Sequence, residues 1–380
     1  MSKSKVVKWA FRSCIGSVLL PLASCTHSAE EENGKYDAVR IVIPDVIEKT
    51  SSCIVDGIAY LPLYGSESRT MSEPAKVRFE NGCYYILYKR QHSIAVFGND
   101  GHFMFSISSR GKAYNEYQEI ANFTVDERKV YVIDNCRHSI CMYDATDGSF
   151  VGRKEIPFVS WDIECLGENR FLHTCLPNNP RSEINASQGH YAVWETDSTF
   201  QAILARHFPY DGDYFEPIGR DAYFSKCEDG VFFCSFLTEG AVLFSKGETK
   251  PRRCNVTLPN PIPKGERPSF EEITSRGYGY LCEVPHATRD YLFLDVASGS
   301  EDEVIAIRRD SLHETFRNAD SDIATAILPL TCAIGDKVAA YLSDYGLYED
   351  LASEGFRQCP PAVDSLLRNG GACLLVYSFK

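Results

Sequence analysis

Arg110, Glu116 and Tyr117 stand close together in a polar stretch between two apolar runs. Such a group can hold a ligand by Tyr stacking and Glu hydrogen bonding. It can equally anchor its own loop, with the Tyr ring packed inside the fold. Asp344, Tyr345, Tyr348, Glu349 and Asp350 form a second cluster, acidic and aromatic. Paired carboxylates do acid–base work on glycosides when they face each other across a bond. Spacing alone does not bring these together, and a solvated loop accounts for them as well. His92 and His138 are each followed by Ser-Ile, which suits a repeated structural role, and no third ligand stands at a zinc-like spacing. Trp161-Asp162 and Trp194-Glu195 could stack a sugar or belong to a core. No Gly-x-Ser-x-Gly, His-Glu-x-x-His or phosphate loop is present. The expectation is a chain with no catalytic constellation, cofactor or metal. Whether it is an enzyme stays open, with a non-catalytic chain favoured.

The 380 residues carry a formal charge of −13, which argues against a nucleic-acid partner because phosphates call for clustered Lys and Arg. Of the 15 cysteines, Cys14 and Cys25 belong to the leader described next, and the odd number remaining leaves at least one thiol without an intramolecular partner. Most lie in apolar runs, as Cys83, Cys234 and Cys373 do, where a free thiol behaves as a small hydrophobe. Cys136 and Cys141 could bridge one hairpin.

The chain opens with Lys3, Lys5, Lys8 and Arg12, then a short apolar run from Ile15 to Leu22. That run is too short to span a bilayer and reads as a signal peptide. Leu22-Ala23-Ser24-Cys25 resembles a bacterial lipobox, which implies cleavage before Cys25 and lipidation of its thiol. An ordinary secretory cleavage near Ser24 is the alternative. Glu30-Glu31-Glu32 resembles the surface-export signal of Bacteroidales lipoproteins, and a solvated tether explains it as well. The expected organisation is a signal peptide over 1–24, a lipidated acidic tether over 25–35 and one domain over 36–380. Membrane attachment would come through the lipid alone. Asp197-Ser198-Thr199, Asp310-Ser311-Leu312 and Asp364-Ser365-Leu366 match a short O-glycosylation pattern of exported Bacteroidales proteins.

The elements that must position any site are strands. Candidates include Cys83 to Tyr88, Ser93 to Phe97, Val130 to Ile133, Gly230 to Phe236, Tyr291 to Asp295 and Cys373 to Ser378. One unit recurs. Tyr84-Tyr85-Ile86-Leu87, His92-Ser93-Ile94 and Asp100-Gly101 return as Val130-Tyr131-Val132-Ile133, His138-Ser139-Ile140 and Asp147-Gly148. A multi-strand repeat of roughly 40 to 50 residues is the signature of a β-propeller. Each Asp-Gly would turn the third strand of a blade into its fourth. The length after the tether allows six or seven four-stranded antiparallel blades. Pro209 to Asp221 and Pro251 to Glu272 read as connections between blades, and Pro360 to Arg368 as a helix.

The sequence resembles the six-bladed β-propeller lipoproteins of gut Bacteroidales. The match rests on Ile58 to Leu63, Tyr84 to Phe103, Arg110-Gly111 with Asn115-Glu116-Tyr117, Val130 to Asp134, and Leu374 to Tyr377. Gly111 to Tyr117 keeps the first Gly and the Glu-Tyr of the family's Gly-x-Gly-Pro-Gly-Glu-Tyr but not its middle Gly-Pro-Gly. The resemblance implies an all-β propeller of six blades, seven being less favoured, closed by pairing the last strand with one near the N-terminus. It implies an outer-membrane address, surface-exposed, with a periplasm-facing placement as the alternative. The expected function is a non-catalytic binding or scaffold module for an envelope protein or glycan. The alternative is an envelope hydrolase or lyase working at the channel. Arg110, Glu116, Tyr117, Asp344 and Tyr345 are the candidate ligand contacts, and Cys25 the lipidation site.

Overall fold

The computed structural model describes residues 38–65, 72–167, 169–176, 190–211, 214, 216–238, 240–299, 301–318 and 323–380. Cys25, the leader and the tether lie outside the described residues.

Two strands come before the first complete blade: β1 (Ala38–Val42) and β2 (Val55–Pro62). Blade 1 is β3 (Lys76–Glu80), β4 (Cys83–Tyr88), β5 (Ser93–Gly98) and β6 (Phe103–Ile107). Blade 2 is β7 (Phe123–Val125), β8 (Lys129–Asp134), β9 (Ser139–Asp144) and β10 (Phe150–Glu155). Blade 3 is β11 (Asp162–Gly167), β12 (Arg170–Thr174), β13 (Tyr191–Asp197) and β14 (Ile203–Pro209). Blade 4 is β15 (Phe224–Cys227), β16 (Gly230–Ser235), β17 (Gly240–Ser245) and β18 (Arg252–Thr257). Blade 5 begins with a broken inner strand, β19 (Gly279–Leu281) and β20 (His286–Ala287), followed by β21 (Tyr291–Ser298), β22 (Glu301–Arg308) and β23 (Thr315–Phe316). Blade 6 is β24 (Leu330–Ile334), β25 (Lys337–Leu342) and β26 (Cys373–Phe379), completed by β2. The result is a six-bladed propeller of antiparallel blades.

Ring closure joins the two ends of the chain, with β2 antiparallel to β26 from Val55 opposite Phe379 to Pro62 opposite Cys373. Val55 to Pro62 is therefore the outer strand of the last blade. β1 adds a fifth strand to blade 4, parallel to β18. Between these strands the chain crosses the outside of blade 5, where Ser51 N donates to Arg317 O at 2.8 Å.

Among the described residues the core is divided rather than single. Six apolar clusters fill the six interfaces between neighbouring blades. Strand β4 shows why its sequence is an unbroken apolar run. Tyr84, Ile86 and Tyr88 pack toward blade 6, while Tyr85 and Leu87 pack toward blade 2. Alternate side chains leave a strand on opposite faces, so a blade buried on both sides must be apolar at successive positions.

The Asp-Gly turns fall where the repeat puts them, with Gly101 at φ +81 and Gly148 at φ +73 between the third and fourth strands. His92 and His138, at φ +48 and +49, close equivalent turns between the second and third strands. Helix α1 (Phe270–Ser275) sits in the link between blades 4 and 5, capped by Ser269. Two differences from the sequence expectation have local causes. The stretch from Pro251 is not all connection, because Arg252–Thr257 is the outer strand of blade 4. The acidic, aromatic stretch expected as a loop is helix α2 (Tyr345–Ser353), started by the Asp344 side chain accepting from Gly346 N at 2.8 Å and Leu347 N at 3.2 Å. Helix α3 (Pro361–Arg368) follows and packs Val363 and Leu367 against blade 6. Cys136 and Cys141 are separate thiols, the first exposed and the second buried.

Candidate functional site

The inner strands of different blades meet around the ring axis, and they do so through charge. On β3, Val77 points into an interface while Lys76 and Arg78 point to the axis. On β11, Ile163 does the first and Asp162 and Glu164 the second. Lys76 Nζ lies 2.9 Å from Asp162 Oδ1 and 3.3 Å from Glu164 Oε2. Arg78 Nε is 3.3 Å from Glu164 Oε1, and its Nη2 is 2.7 Å from Glu80 Oε2. Lys226 Nζ reaches the same Glu80 oxygen at 2.8 Å. Blades 1 and 4 stand opposite each other in a ring of six, so this last pair spans the axis. Thr124 Oγ1 of blade 2 donates to Glu164 Oε1 at 2.7 Å. Asp162 also accepts from Tyr223 N at 2.8 Å and Phe224 N at 3.0 Å.

Asp162 and Glu164 are fully buried, and charges so placed must be paired. Burial alone would raise the Glu164 carboxyl, but Arg78, Lys76 and Lys226 together hold it below the ordinary range. This network ties blades 1, 2, 3 and 4 across the channel.

At the end of the ring where the inner strands begin, a cavity of about 870 Å³ opens. Lys76, Arg78 and Glu164 form part of its base, and Trp161, Lys89 and Asp221 part of its wall. Lys89 Nζ lies 2.8 Å from Asp221 Oδ1 and 4.7 Å from the centroid of the Trp161 ring. Trp161 Nε1 donates to Arg220 O at 3.1 Å.

The blade 5 wall differs, because Glu283, Asp295 and Asp302 gather there. Burial, with Asp221 and Glu73 nearby, raises Glu283 to about 7 even though Arg220 opposes it. Burial, then Glu283 and Asp302, raises Asp295 to about 8. Burial raises Asp302 as well.

The structure separates the candidates named from sequence. Asp344 lines the cavity, with its carboxylate engaged as the cap of α2. Tyr345 lies beyond it, with the Arg368 guanidinium 4.7 Å from its ring and its hydroxyl 3.4 Å from Asp364 Oδ1. Arg110, Glu116 and Tyr117 do not line the cavity. Tyr117 is fully buried between blades 1 and 2, and its hydroxyl donates to His92 O. Glu116 Oε2 accepts from Ala113 N at 2.8 Å, and Arg110 Nε donates to Gln118 O at 3.1 Å. Trp194 is buried between blades 2 and 3, 6.1 Å from the His173 ring and stacked on it.

Sequence reasoning did not single out Lys76, Arg78, Glu164, Lys226 or the blade 5 carboxylates. A signal was present for some of them. Lys76-Val77-Arg78-Phe79-Glu80 and Asp162-Ile163-Glu164 alternate charged and apolar residues. On the innermost strand of a propeller that alternation places charge on the axis.

Among the described residues, no helix is long and apolar enough to cross a membrane. No curated protein is detectably similar in sequence. The crystal structure of a Bacteroides fragilis protein described as exported, BF0058, superposes with a TM-score of 0.68 at 18% identity, covering 90% of this chain and 99% of that one. A member of the DUF4221 family from Bacteroides vulgatus gives a TM-score of 0.43 at 10% identity, covering 86% and 97%. The profile of the DUF5128 family, described as a 6-bladed beta-propeller, matches residues 29–253. The chain, with its six blades and this match over more than half its length, belongs to the DUF5128 family.

Proposed function

We propose that the chain is a lipid-anchored envelope protein whose ring acts as a binding module, holding part of a partner protein or glycan in the cavity at the channel mouth. The observation that carries the reading is the form of that cavity. It is roomy enough for a ligand at about 870 Å³, and below it the Glu80–Lys226 pair crosses the axis, so the cavity is a cup with a charged floor. The anchor would be Cys25, after the basic and apolar leader. Surface exposure follows the acidic triplet after it, with the periplasmic leaflet as the alternative. β1, the first described strand, lies on the outer edge of blade 4, away from the inner strands that line the cup.

One observation favours a second reading. Glu283 and Asp295, raised to about 7 and 8, retain protons near neutral pH, as a general acid must. In that reading the cup is the site of a hydrolase or lyase.

Photo-crosslinking residues placed at Arg90 and Asp221 on the rim, and at Gly82 and Gly335 on the opposite turns, test the binding reading in intact cells. Specific capture from the rim positions alone is expected. Equal capture from both ends, or none from the rim, overturns it. Metabolic labelling with a fatty acid, lost in Cys25→Ser, tests the anchor. Turnover of envelope polysaccharide that disappears in Asp295→Asn would put the second reading first.

A further inference from the structure

The acidic wall of the cup consists of acceptors without an ionic partner. Among the described residues, Glu283, Asp295 and Asp302 form no ion pair with Lys, Arg or His. The nearby cations are engaged elsewhere. Arg220 holds Glu216 at 3.0 Å and donates to Leu281 O at 2.6 Å and Cys282 O at 2.8 Å. Lys76, Arg78 and Lys226 belong to the floor and Lys89 to Asp221, while Arg90 stands at the rim, near Glu73. Cys282 lies beside Asp295, its backbone N donating to Asp295 O at 2.9 Å.

His286 is a second, independent observation. Its side chain belongs to the cavity lining and is only 8% exposed, yet its Nδ1 has no hydrogen-bond partner. The Leu330 carbonyl lies beside the ring, and in the tautomer protonated at Nε2 the unpartnered Nδ1 presents a lone pair. Burial lowers His286 to about 4, so the ring is neutral.

A wall of carboxyl oxygens and one imidazole lone pair calls for a group that only donates. A carboxylate or phosphate would find no free cation on this wall, and a sugar hydroxyl would gain nothing from ionising the carboxyls, whereas a cation does. A metal ion needs three or more ligands within about 2.0–2.6 Å of one point, and among the described residues no three His, Cys, Asp or Glu are placed to hold one, whereas an ammonium takes looser contacts at about 2.7–3.2 Å and water can complete its set. An ammonium has three donors and no acceptor.

We infer that the blade 5 wall, formed by Glu283, Asp295, Asp302 and His286, binds the primary ammonium group of a small amine or of a peptide. This rests on the reading of the cup as a binding site. The ammonium stabilises the ionised carboxylates, so binding near pH 7 expels protons that Glu283 and Asp295 hold in the empty site. Glu73, Asp221 and Asp302 favour the cation, Arg220 and Arg90 oppose it, and neutral His286 and Cys282 set the geometry.

The test is calorimetric titration of the mature chain with spermidine and, separately, with the tripeptide Gly-Lys-Gly. It uses two buffers of different ionisation enthalpy at pH 7, neither of them an amine. Saturable binding with net proton release is expected. Glu283→Gln and Asp295→Asn should each weaken it about tenfold, the size expected for one lost charge-assisted contact. Asp302→Asn is the second variant should either fail to fold, and thermal melting checks all three. The stronger probe tells a free amine from a peptide. Binding left unchanged by the variants, or no binding of either amine, overturns the inference. A glycan array on the same protein then separates the two ideas: a neutral glycan bound without either amine overturns the ammonium site and leaves the binding module standing.

Discussion

Tyr117 and Lys76 show how differently two side chains can serve the same ring. Tyr117 is the end of a polar loop turned inward, fully buried between blades 1 and 2, with its hydroxyl on the His92 and Ile107 carbonyls. Tyr117→Ala should cost roughly 3–5 kcal/mol, the range for emptying a large aromatic site. Tyr117→Phe should cost about 1–2 kcal/mol for the lost hydrogen bonds. Urea unfolding reads both, and a cost under about 1 kcal/mol for the Ala variant would show that the ring is not part of the core. Lys76 is buried for a different reason, as the cation between Asp162 and Glu164. Lys76→Met leaves both acids without it and should destabilise by about 3–5 kcal/mol, as removal of one partner from a buried pair does. The candidates at this scale were only partly legible in sequence. Glu116 and Tyr117 announced an organised loop, but whether a Tyr turns inward depends on the neighbouring blade, which a linear pattern does not contain. Glu283, Asp295 and Asp302 come together because the break between β19 and β20 lies beside β21, with β22 next in the sheet, and no short spacing encodes that.

Strands and turns were far more legible. The copies at Tyr84 and Val130 fall on β4 and β8, and the Asp-Gly turns close the expected hairpins. The pattern left out all of blade 3, β11 to β14, as well as β18, hidden in a stretch rich in Arg and Pro, and α2, whose start is set by one capping carboxylate. Two glycines separate the reasons a turn needs one. Gly82 has φ +73, and a methyl group there would meet nothing within 4 Å, so Gly82→Ala should cost only the backbone strain, about 1–2 kcal/mol. Gly101 has φ +81, and a Cβ there would sit 2.0 Å from Pro62 O of β2. Gly101→Ala must therefore push blade 1 away from the closing strand and should cost roughly 3 kcal/mol or more. Melting curves that place the two variants together would refute that distinction.

At the scale of the whole molecule, the raised carboxyls make stability depend on pH. Glu283 and Asp295 bind protons more tightly in the folded ring than in the open chain, so the folded state holds more protons between their ordinary values and about 7 and 8. Stability linked to them is present at low pH and lost as pH rises through that range. His173 and His286, held down to about 3 and 4, act in the opposite sense and lose stability as pH falls below about 6.5. The two trends oppose each other in mild acid. Above pH 6.5 only the carboxyl term continues, so the melting temperature should fall between about pH 6.5 and 8. Asp295→Asn should flatten that limb. A wild-type curve that is flat or rising there would contradict the assignment.

The closing strand also sets a timetable for the molecule. β2 finds its partner only in β26, opposite Phe379 and its neighbours, and β1 waits for β18. A chain made from its N-terminus has its first strands finished long before their partners exist. Long-range pairings of this kind slow folding, because loop closure comes before the contacts that reward it. Blades 1 to 3, built from neighbouring segments, can form early, while β1 stays open until β18 is made and β2 until the C-terminal strand arrives. The C-terminal strand is therefore the event that ends assembly, and a chain cut short before Cys373 would be left with a blade that nothing can complete.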